Sequence, residues 1–148
     1  MVTITEVTKV VDAPIGEVWA IISAWGSERF WFPNVIKSTV EGSGVGAKRT
    51  LTFGGEDGEV AFEISEQLQS INPATHTISY ICLGNDDPKR KNPYARMTLE
   101  ELSDGGRAQF KWAAGAEWVE KGYLPELKAF LDGIFGSAID SIGSKLAS

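Results

Sequence analysis

The stretch that decides the fold is the last one, in which residues 124–146 read LPELKAFLDGIFGSAIDSIGSKL. Pro125 suits the first turn of a helix, where a missing N–H costs no hydrogen bond. At about 100° per residue, the apolar side chains gather on one face around Leu131. The other members of that face are Leu124, Leu127, Ile134, Phe135, Ala138, Ile142 and Leu146. The sequence therefore predicts one long amphipathic helix that needs a large apolar surface to pack against.

The glycines of this helix are predicted to lie on its other side. The same count places Gly133, Gly136 and Gly143 roughly 120–200° from Leu131. The inner face would then carry only aliphatic and aromatic side chains. We therefore expect the helix to act as an apolar lid, and any chemistry to come from the rest of the chain.

Upstream, β-branched and aromatic segments alternate with turn sequences, which predicts strands. The predicted strands span residues 3–11, 36–41, 47–53, 59–68, 76–83, 94–102 and 107–118. Pro14 opens a short helix after the first strand, Ser27 is expected to cap a second short turn over 27–31, and a polar loop covers 84–92.

Strands joined by short turns pair antiparallel, and a helix that follows them covers one face. We predict a single α+β domain over 1–148, with a curved antiparallel sheet of six to seven strands wrapped around the C-terminal helix. A cavity between helix and sheet is expected, because a twisted sheet of this size leaves a hollow that one helix does not fill.

Composition restricts the class of partner. Of 148 residues, 43% are hydrophobic and 23% charged, as in ordinary globular domains. The net charge of −6 disfavours nucleic acid and anionic membranes, since both require a basic face. The basic run Lys89-Arg90-Lys91 is interpreted as a solvated loop. No signal peptide or membrane-spanning segment is evident, so we expect a cytoplasmic protein without membrane insertion; a homodimer stays open.

The sequence contains no pattern typical of a cofactor site. His76 and Cys82 are the sole histidine and cysteine, so nitrogen and sulfur ligands cannot build a zinc or haem site, and no disulfide can form within the chain. His76 follows a proline turn and is expected at the surface, at the start of a strand. No glycine-rich nucleotide motif precedes a helix. We expect neither a metal nor another cofactor.

Arg49 is the most informative polar position. It alternates in step with Leu51 and Phe53, so period-two patterning places its guanidinium on the apolar face of its strand. A charge there must be paired, because an unpaired buried charge is very costly. Two interpretations stay open: a structural ion pair in the core, or a group that binds a carboxylate, phenolate or enolate of a ligand.

Aromatic residues supply further candidates. Tyr80 alternates with Ile78 and Cys82, which points its hydroxyl into the predicted cavity, although a core tyrosine bonded to a backbone carbonyl is the alternative. Tyr94 has mixed neighbours on its own face. Two further groups could belong to the core or could line a ligand pocket. They are Phe110 with Trp112 on the last predicted strand, and Trp25, Phe30, Trp31 and Phe32 near the short helices.

Three segments together resemble a known family. APIGEVW at 13–19, FWFP at 30–33 and EGSGVGAKRTL at 41–51, with Glu63 and Trp112, are similar to the polyketide cyclase/dehydrase branch of the START and birch-pollen-allergen-like superfamily. The resemblance implies a helix-grip fold with a ligand cavity. Members of the superfamily include cyclases, lyases, lipid carriers and hormone receptors.

Glu63 illustrates a conflict between the two arguments. Alternation groups Val60, Phe62 and Ile64 on one side of the strand and leaves Glu63 in solvent. The resemblance implies instead that Glu63 turns inward toward Arg49, and we adopt that interpretation. Next to Arg49, its pKa would be held down.

A smaller resemblance concerns the fern hydroxynitrile lyases of this fold. HTISY at 76–80, KNPY at 91–94 and an upstream arginine plus carboxylate are similar to the polar groups of that pocket. The sequence departs from the pattern at Leu127, where that group has a tyrosine. Cyanohydrin chemistry is therefore only a further alternative.

These observations predict a site for a small hydrophobic or aromatic ligand, with cofactor-free cyclase, dehydrase or lyase chemistry. The catalytic candidates are Arg49, Glu63 and Tyr80. The ligand-binding candidates are Trp31, Leu51, Phe53, Tyr94, Phe110, Trp112, Leu127 and Leu131. The alternatives are a carrier or sensor that leaves the ligand unchanged, and a structural domain whose core is filled by its own side chains.

Overall fold

A long C-terminal helix lies against an antiparallel sheet. The computed structural model describes residues 1–84 and 87–147; Asn85 and Asp86, within the predicted polar loop 84–92, and Ser148 lie outside the described residues. The helices are α1 Ile15–Ile22, a 3-10 helix Glu28–Phe30 and α2 Leu124–Ala147. The strands are β1 Val2–Val11, β2 Val35–Glu41, β3 Lys48–Gly54, β4 Val60–Asn72, β5 Thr77–Leu83, β6 Arg90–Lys91, β7 Tyr94–Glu101, β8 Ala108–Ala116 and β9 Trp118–Val119.

Seven strands form one sheet in the order β1-β8-β7-β5-β4-β3-β2, with antiparallel neighbours throughout. The predicted α+β arrangement, with six to seven strands, two short helices and one long helix, is confirmed. The short strands β6 and β9 pair with each other in a second small sheet. Sequence patterning did not reveal them, because two residues are too few to show alternation.

Two details of the short helices differ from expectation. Pro14 is the residue before α1 and has an extended ψ of 146°, so it caps the helix rather than opening its first turn. Ser27 precedes the 3-10 helix but makes no capping bond with its side chain. Its hydroxyl donates instead to the carbonyl of Ala24, at 2.6 Å. Both helices nevertheless form where they were expected.

The buried face of α2 is wider than the sequence indicated. Its buried members are Leu127, Phe135, Ala138, Ile139 and Ile142. Gly133 does lie on the outer side, where an added β-carbon would meet no other part of the protein within 4 Å, but the prediction is wrong for Gly136 and Gly143, which are half-buried. A β-carbon at Gly143 would lie 3.9 Å from Val11 Cγ1 on β1. Helix α2 therefore packs against the flank of the sheet at β1 as well as its concave face.

Aromatic contacts join the sheet to the helix at the centre of the core. The rings of Trp112 on β8 and Phe135 on α2 are stacked, 4.3 Å apart and 5° from parallel. Phe32 approaches Trp112 edge-on, at 6.0 Å. His76 lies in the turn before β5, half-buried, with Trp19 edge-on at 5.4 Å. Within the two described ranges, no helix is long and apolar enough to cross a membrane.

Candidate functional site

A cavity of about 270 Å³ lies between the sheet and α2. Its polar lining comes chiefly from the sheet, and includes Arg49 on β3, Glu66 on β4 and Tyr80 on β5. Helix α2 contributes Leu127, Phe130, Leu131, Ile134 and Phe135. Every α2 side chain that lines the cavity is therefore apolar, in agreement with the lid predicted from its sequence.

Arg49 is held in the core by two carboxylates. Its Nε and Nη2 lie 2.8 and 2.7 Å from Glu66 Oε1. Its Nη1 lies 3.0 Å from Glu28 Oε2. The guanidinium carbon also lies 3.6 Å from the centroid of the Trp25 ring. Of the two interpretations of Arg49, the structure supports the buried ion pair, because both ends of the guanidinium are already bonded to protein carboxylates.

Glu28 reaches this cluster from the 3-10 helix. The turn before it contains Gly26, whose φ of +104° is readily adopted only by glycine. The N–H of Gly26 donates to both carboxylate oxygens of Glu28, at 3.1 Å. Glu28 is completely buried, and it packs between this turn and Arg49. Sequence reasoning missed it, because no pattern in a three-residue helix predicts where its side chain points.

Glu66, rather than Glu63, is the partner of Arg49 on β4. Arg49 and Glu66 are directly opposite in the β3–β4 pairing, whereas Glu63 is opposite Thr52. Glu63 is among the residues that line the cavity, but its side chain is exposed. The prediction that Glu63 turns inward to pair with Arg49 is therefore wrong. Alternation carried onward from Ile64 would have found Glu66, since residues two apart share a face.

The cluster of Glu28, Arg49 and Glu66 has unequal numbers of acidic and basic groups. Burial raises the pKa of Glu66; the attraction of Arg49 opposes this, and the charge of Glu28 adds to the rise. Burial would lower the pKa of Arg49, but the two carboxylates more than offset it, and that pKa is raised. Arg49 stays charged, and Glu66 takes up a proton more readily than an ordinary glutamate.

One oxygen of Glu66 is available to a ligand. Both bonds from Arg49 fall on Oε1. No described residue hydrogen-bonds Oε2, and Glu66 lines the cavity. A carboxylate with one oxygen anchored and the other open can accept a proton and return it.

Tyr80 lines the same cavity. Trp112 Nε1 donates to this hydroxyl, at 3.1 Å, and an indole N–H can only donate. Among the described residues nothing accepts the hydroxyl proton of Tyr80, so the alternative of a bond to a backbone carbonyl is wrong. Burial and the nearby Glu66 raise its pKa well above 10.0. Tyr80 therefore stays protonated and keeps a proton to donate in a hydrogen bond.

Tyr94 owes its position to a glycine on the next strand. It is directly opposite Gly115, and a β-carbon at Gly115 would lie 2.5 Å from the Tyr94 hydroxyl and 2.8 Å from the carbonyl oxygen of Val2. Both distances are too short for any side chain. The absence of a side chain at Gly115 thus allows the ring of Tyr94 to lie over β8 and line the cavity.

Gly115→Ala should destabilise the protein by about 1–3 kcal/mol, the usual cost of an extra methyl in a packed site. Tyr94 can rotate away, but the carbonyl of Val2 is backbone and cannot. Gly133→Ala is the matched control. Its α-carbon faces open space in the middle of α2, so the free energy of unfolding should rise by a few tenths to about 1 kcal/mol. Urea unfolding of both variants measures the difference, and equal effects would contradict the predicted contact.

The chain matches a known protein family over nearly its whole length. Residues 2–147 match the model of the family described as polyketide cyclase / dehydrase and lipid transport. The chain belongs to this family. A comparison with curated proteins found no match.

Solved structures share the fold of this family member. XoxI from Bacillus cereus is similar with a TM-score of 0.80 and 18% identity, over 98% of this chain and 95% of that one. The Zhui aromatase/cyclase from Streptomyces sp. R1128 has a TM-score of 0.69 and 17% identity, over 95% and 91%. The di-domain aromatase/cyclase BexL of the BE-7585A biosynthetic pathway has a TM-score of 0.79 and 17% identity, over 97% of this chain and 46% of that one. At these identities the likeness establishes the fold.

In this polyketide cyclase/dehydrase family member, most of the predicted site residues reach the cavity. Those that line it are Arg49, Leu51, Phe53, Glu63, Tyr80, Tyr94, Trp112, Leu127 and Leu131. Phe110 and Trp31 do not. Phe110 is wholly buried in the core. Trp31 is packed in the corner beside α2, where its carbonyl accepts a bond from Ser141 Oγ at 2.5 Å.

Several lining residues had not been proposed from sequence. They include Ile64, Glu66, Cys82, Arg90, Tyr123 and Phe130. Burial raises the pKa of the Cys82 thiol to about 12, so it is not a ready nucleophile near neutral pH. In the part of the chain that the structure describes, no three His, Cys, Asp or Glu side chains are placed to hold a metal ion.

Proposed function

We propose that this protein binds a small hydrophobic or aromatic carbonyl compound in the cavity and catalyses cofactor-free acid–base chemistry of the cyclase/dehydrase type. One observation carries the proposal. The buried Tyr80 hydroxyl accepts a bond from Trp112 and has no acceptor for its own proton among the described residues. A buried donor of this kind is suited to the oxygen of a ligand carbonyl, on which negative charge develops when a neighbouring carbon loses a proton.

Glu66 supplies the matching proton acceptor. In dehydration of a β-hydroxy ketone, the α-carbon proton moves to Glu66 Oε2 while Tyr80 donates to the carbonyl oxygen. The carbon–carbon double bond then forms as the bond between the β-carbon and its hydroxyl breaks, and the hydroxyl leaves as water with the proton from Glu66. A glutamate whose pKa is raised suits both halves of this exchange.

Arg49 acts in this proposal as a positioning residue. It anchors Oε1 of Glu66 on the side opposite the ligand. Its charge also limits the rise in the pKa of Glu66. We do not assign the ligand oxygen to Arg49, because two carboxylates already occupy its guanidinium.

A second candidate is a carrier that leaves its ligand unchanged. The observation in its favour is that the whole helix side of the cavity is apolar, which suits retention of a hydrophobic molecule. Cyanohydrin chemistry gains no such support. Leu127 lines the cavity at the position where the hydroxynitrile lyase resemblance implies a tyrosine, and it supplies no hydroxyl.

The test uses the β-hydroxy ketone formed from benzaldehyde and acetone, which loses water to benzylideneacetone with a change in ultraviolet absorbance. The wild-type protein should accelerate this loss over buffer. Tyr80→Phe should lower kcat by roughly 10²–10³-fold, the usual effect of removing one oxyanion donor. Affinity for benzylideneacetone, measured by quenching of tryptophan fluorescence, should change little.

The two candidate functions give different outcomes. Binding of the product without any acceleration by the wild-type protein would favour the carrier. Full turnover in Tyr80→Phe would remove Tyr80 from the mechanism.

A further inference from the structure

Arg90 lies in the basic run Lys89-Arg90-Lys91, which was predicted to be a solvated loop. The structure places it on the short strand β6, opposite Val119 of β9. Its side chain lines the cavity and is 24% exposed. Arg90 therefore lies where the interior of the cavity meets solvent.

The guanidinium of Arg90 is incompletely bonded. Its Nε is buried and has no hydrogen-bond partner in the described chain. The ion pair with Asp87 joins Nε and Oδ2 at 3.9 Å, which is too long for a hydrogen bond. Buried donors in native proteins usually have a partner, so this nitrogen is able to donate to an acceptor from outside the protein, either water or a ligand.

A second cation, Lys89, lies near this position. Lys89 Nζ lies 5.0 Å from the ring centroid of Tyr123, which also lines the cavity. The nearby carboxylate of Glu117 accepts a 2.6 Å bond from Asn92 rather than from Arg90. Lys89 and Arg90 thus lie at this end of the cavity, with the carboxylate of Asp87 3.9 Å from Arg90 Nε.

Strand β5 leads from Tyr80 toward the segment that contains Arg90. Cys82, the next residue on the same face of the strand, also lines the cavity. Its N–H donates to the carbonyl of Pro93, three residues after Arg90, at 2.9 Å. Two residues of a strand advance by about 7 Å. A ligand of one or two rings that lay along this wall would have one end at Tyr80 and Glu66 and the other near Arg90.

We propose that the ligand is an anion, an aromatic or apolar carbonyl compound with a carboxylate that Arg90 binds at the open end of the cavity. This inference rests on the proposed function, since it assumes that the cavity holds a ligand. The planar guanidinium can donate from Nε and one terminal nitrogen to both oxygens of a carboxylate. Arg90 is then a specificity-determining residue, and the acid–base groups Tyr80 and Glu66 act on the carbonyl.

The test compares two isosteric probes on the same naphthalene ring. β-Naphthoate carries a carboxylate, and β-acetonaphthone carries a neutral methyl ketone in its place. Isothermal titration calorimetry should show tighter binding of naphthoate by the wild-type protein. Arg90→Gln should lower the affinity for naphthoate by at least about tenfold, the usual effect of losing a charged hydrogen bond. The affinity for the ketone should not change. Arg96→Gln is the matched control, because Arg96 is exposed on β7 and its loss changes the net charge equally.

Unchanged affinity for the ketone also shows that Arg90→Gln preserves the cavity. If both probes bind the wild-type protein equally and Arg90→Gln alters neither, the anion site is overturned while the ligand cavity stands. An equal loss of naphthoate affinity in Arg96→Gln would assign the preference to overall charge and overturn the role of Arg90. If neither probe binds the wild-type protein, the proposed ligand-binding function itself fails.

Discussion

Replacing Arg49 by methionine is expected to lower the free energy of unfolding by about 3–5 kcal/mol, because it leaves two buried carboxylates without a cation. Arg49 is 2% exposed, and Glu28 and Glu66 are its only ion-pair partners in the described chain. Methionine is close to arginine in length and packs well in cores, so the loss should reflect charge more than volume. Urea unfolding followed by tryptophan fluorescence measures it.

Two further variants separate charge from packing. The triple variant Glu28→Gln/Arg49→Met/Glu66→Gln removes every charge of the cluster and should recover much of the lost stability, since no uncompensated charge remains. Arg107→Met removes an exposed arginine that bonds Asp104 and should change stability little. A triple variant as unstable as Arg49→Met would show that packing, rather than charge, explains the loss.

Glu66→Gln should reduce kcat for dehydration of the β-hydroxy ketone by roughly 10²–10⁴-fold, because an amide cannot take the α-carbon proton. Glu63→Gln is the same change three residues earlier on β4, at an exposed side chain opposite Thr52, and should retain most of the rate. Comparing the two variants shows whether the catalytic glutamate is Glu66, indicated by the structure, or Glu63, indicated by the family resemblance. Equal losses in both variants would contradict the assignment of Glu66.

The free energy of unfolding should depend on pH through the protonation of Glu66. Its pKa is raised above 4.5 in the folded protein, by burial first, so the folded state holds this proton more tightly than the unfolded state. The stabilisation from that proton is fully present below about pH 4.5 and is lost as pH rises through the folded pKa. Relative to Glu66→Gln, the wild-type protein should therefore lose stability as pH rises from 4.5, which urea unfolding at several pH values measures.

Periodic patterns in the sequence placed several side chains on the correct face of their helix or strand. The period of α2 identified Leu127, Leu131 and Phe135, and all three line the cavity. The period of β3 placed Arg49 inward among apolar residues, and it is buried there. Both inferences succeed because helix and strand periods are properties of the backbone, which fixes the face of every residue once the element is known.

The failures have a different origin. Glu63 was turned inward by family resemblance against its own alternation, and the pairing of β3 with β4 places Glu66 opposite Arg49 instead. Gly143 was placed outside because the count assumed one contact surface, whereas α2 also packs against β1. In both cases the decisive contact lies on another element, which a local pattern cannot contain.

The sequence by itself determined the element order, the antiparallel sheet, the apolar lid and the inward position of Arg49 on β3. Local spacing is sufficient for these, because periodicity and turn chemistry act within a few residues of the chain. Only the tertiary structure decided which polar groups meet in the cavity. Glu28 reaches Arg49 across 21 residues, Trp112 reaches Tyr80 across 32, and Arg90 lines the cavity from a two-residue strand. Such contacts depend on strand register and on where short segments pack, and no local period encodes either.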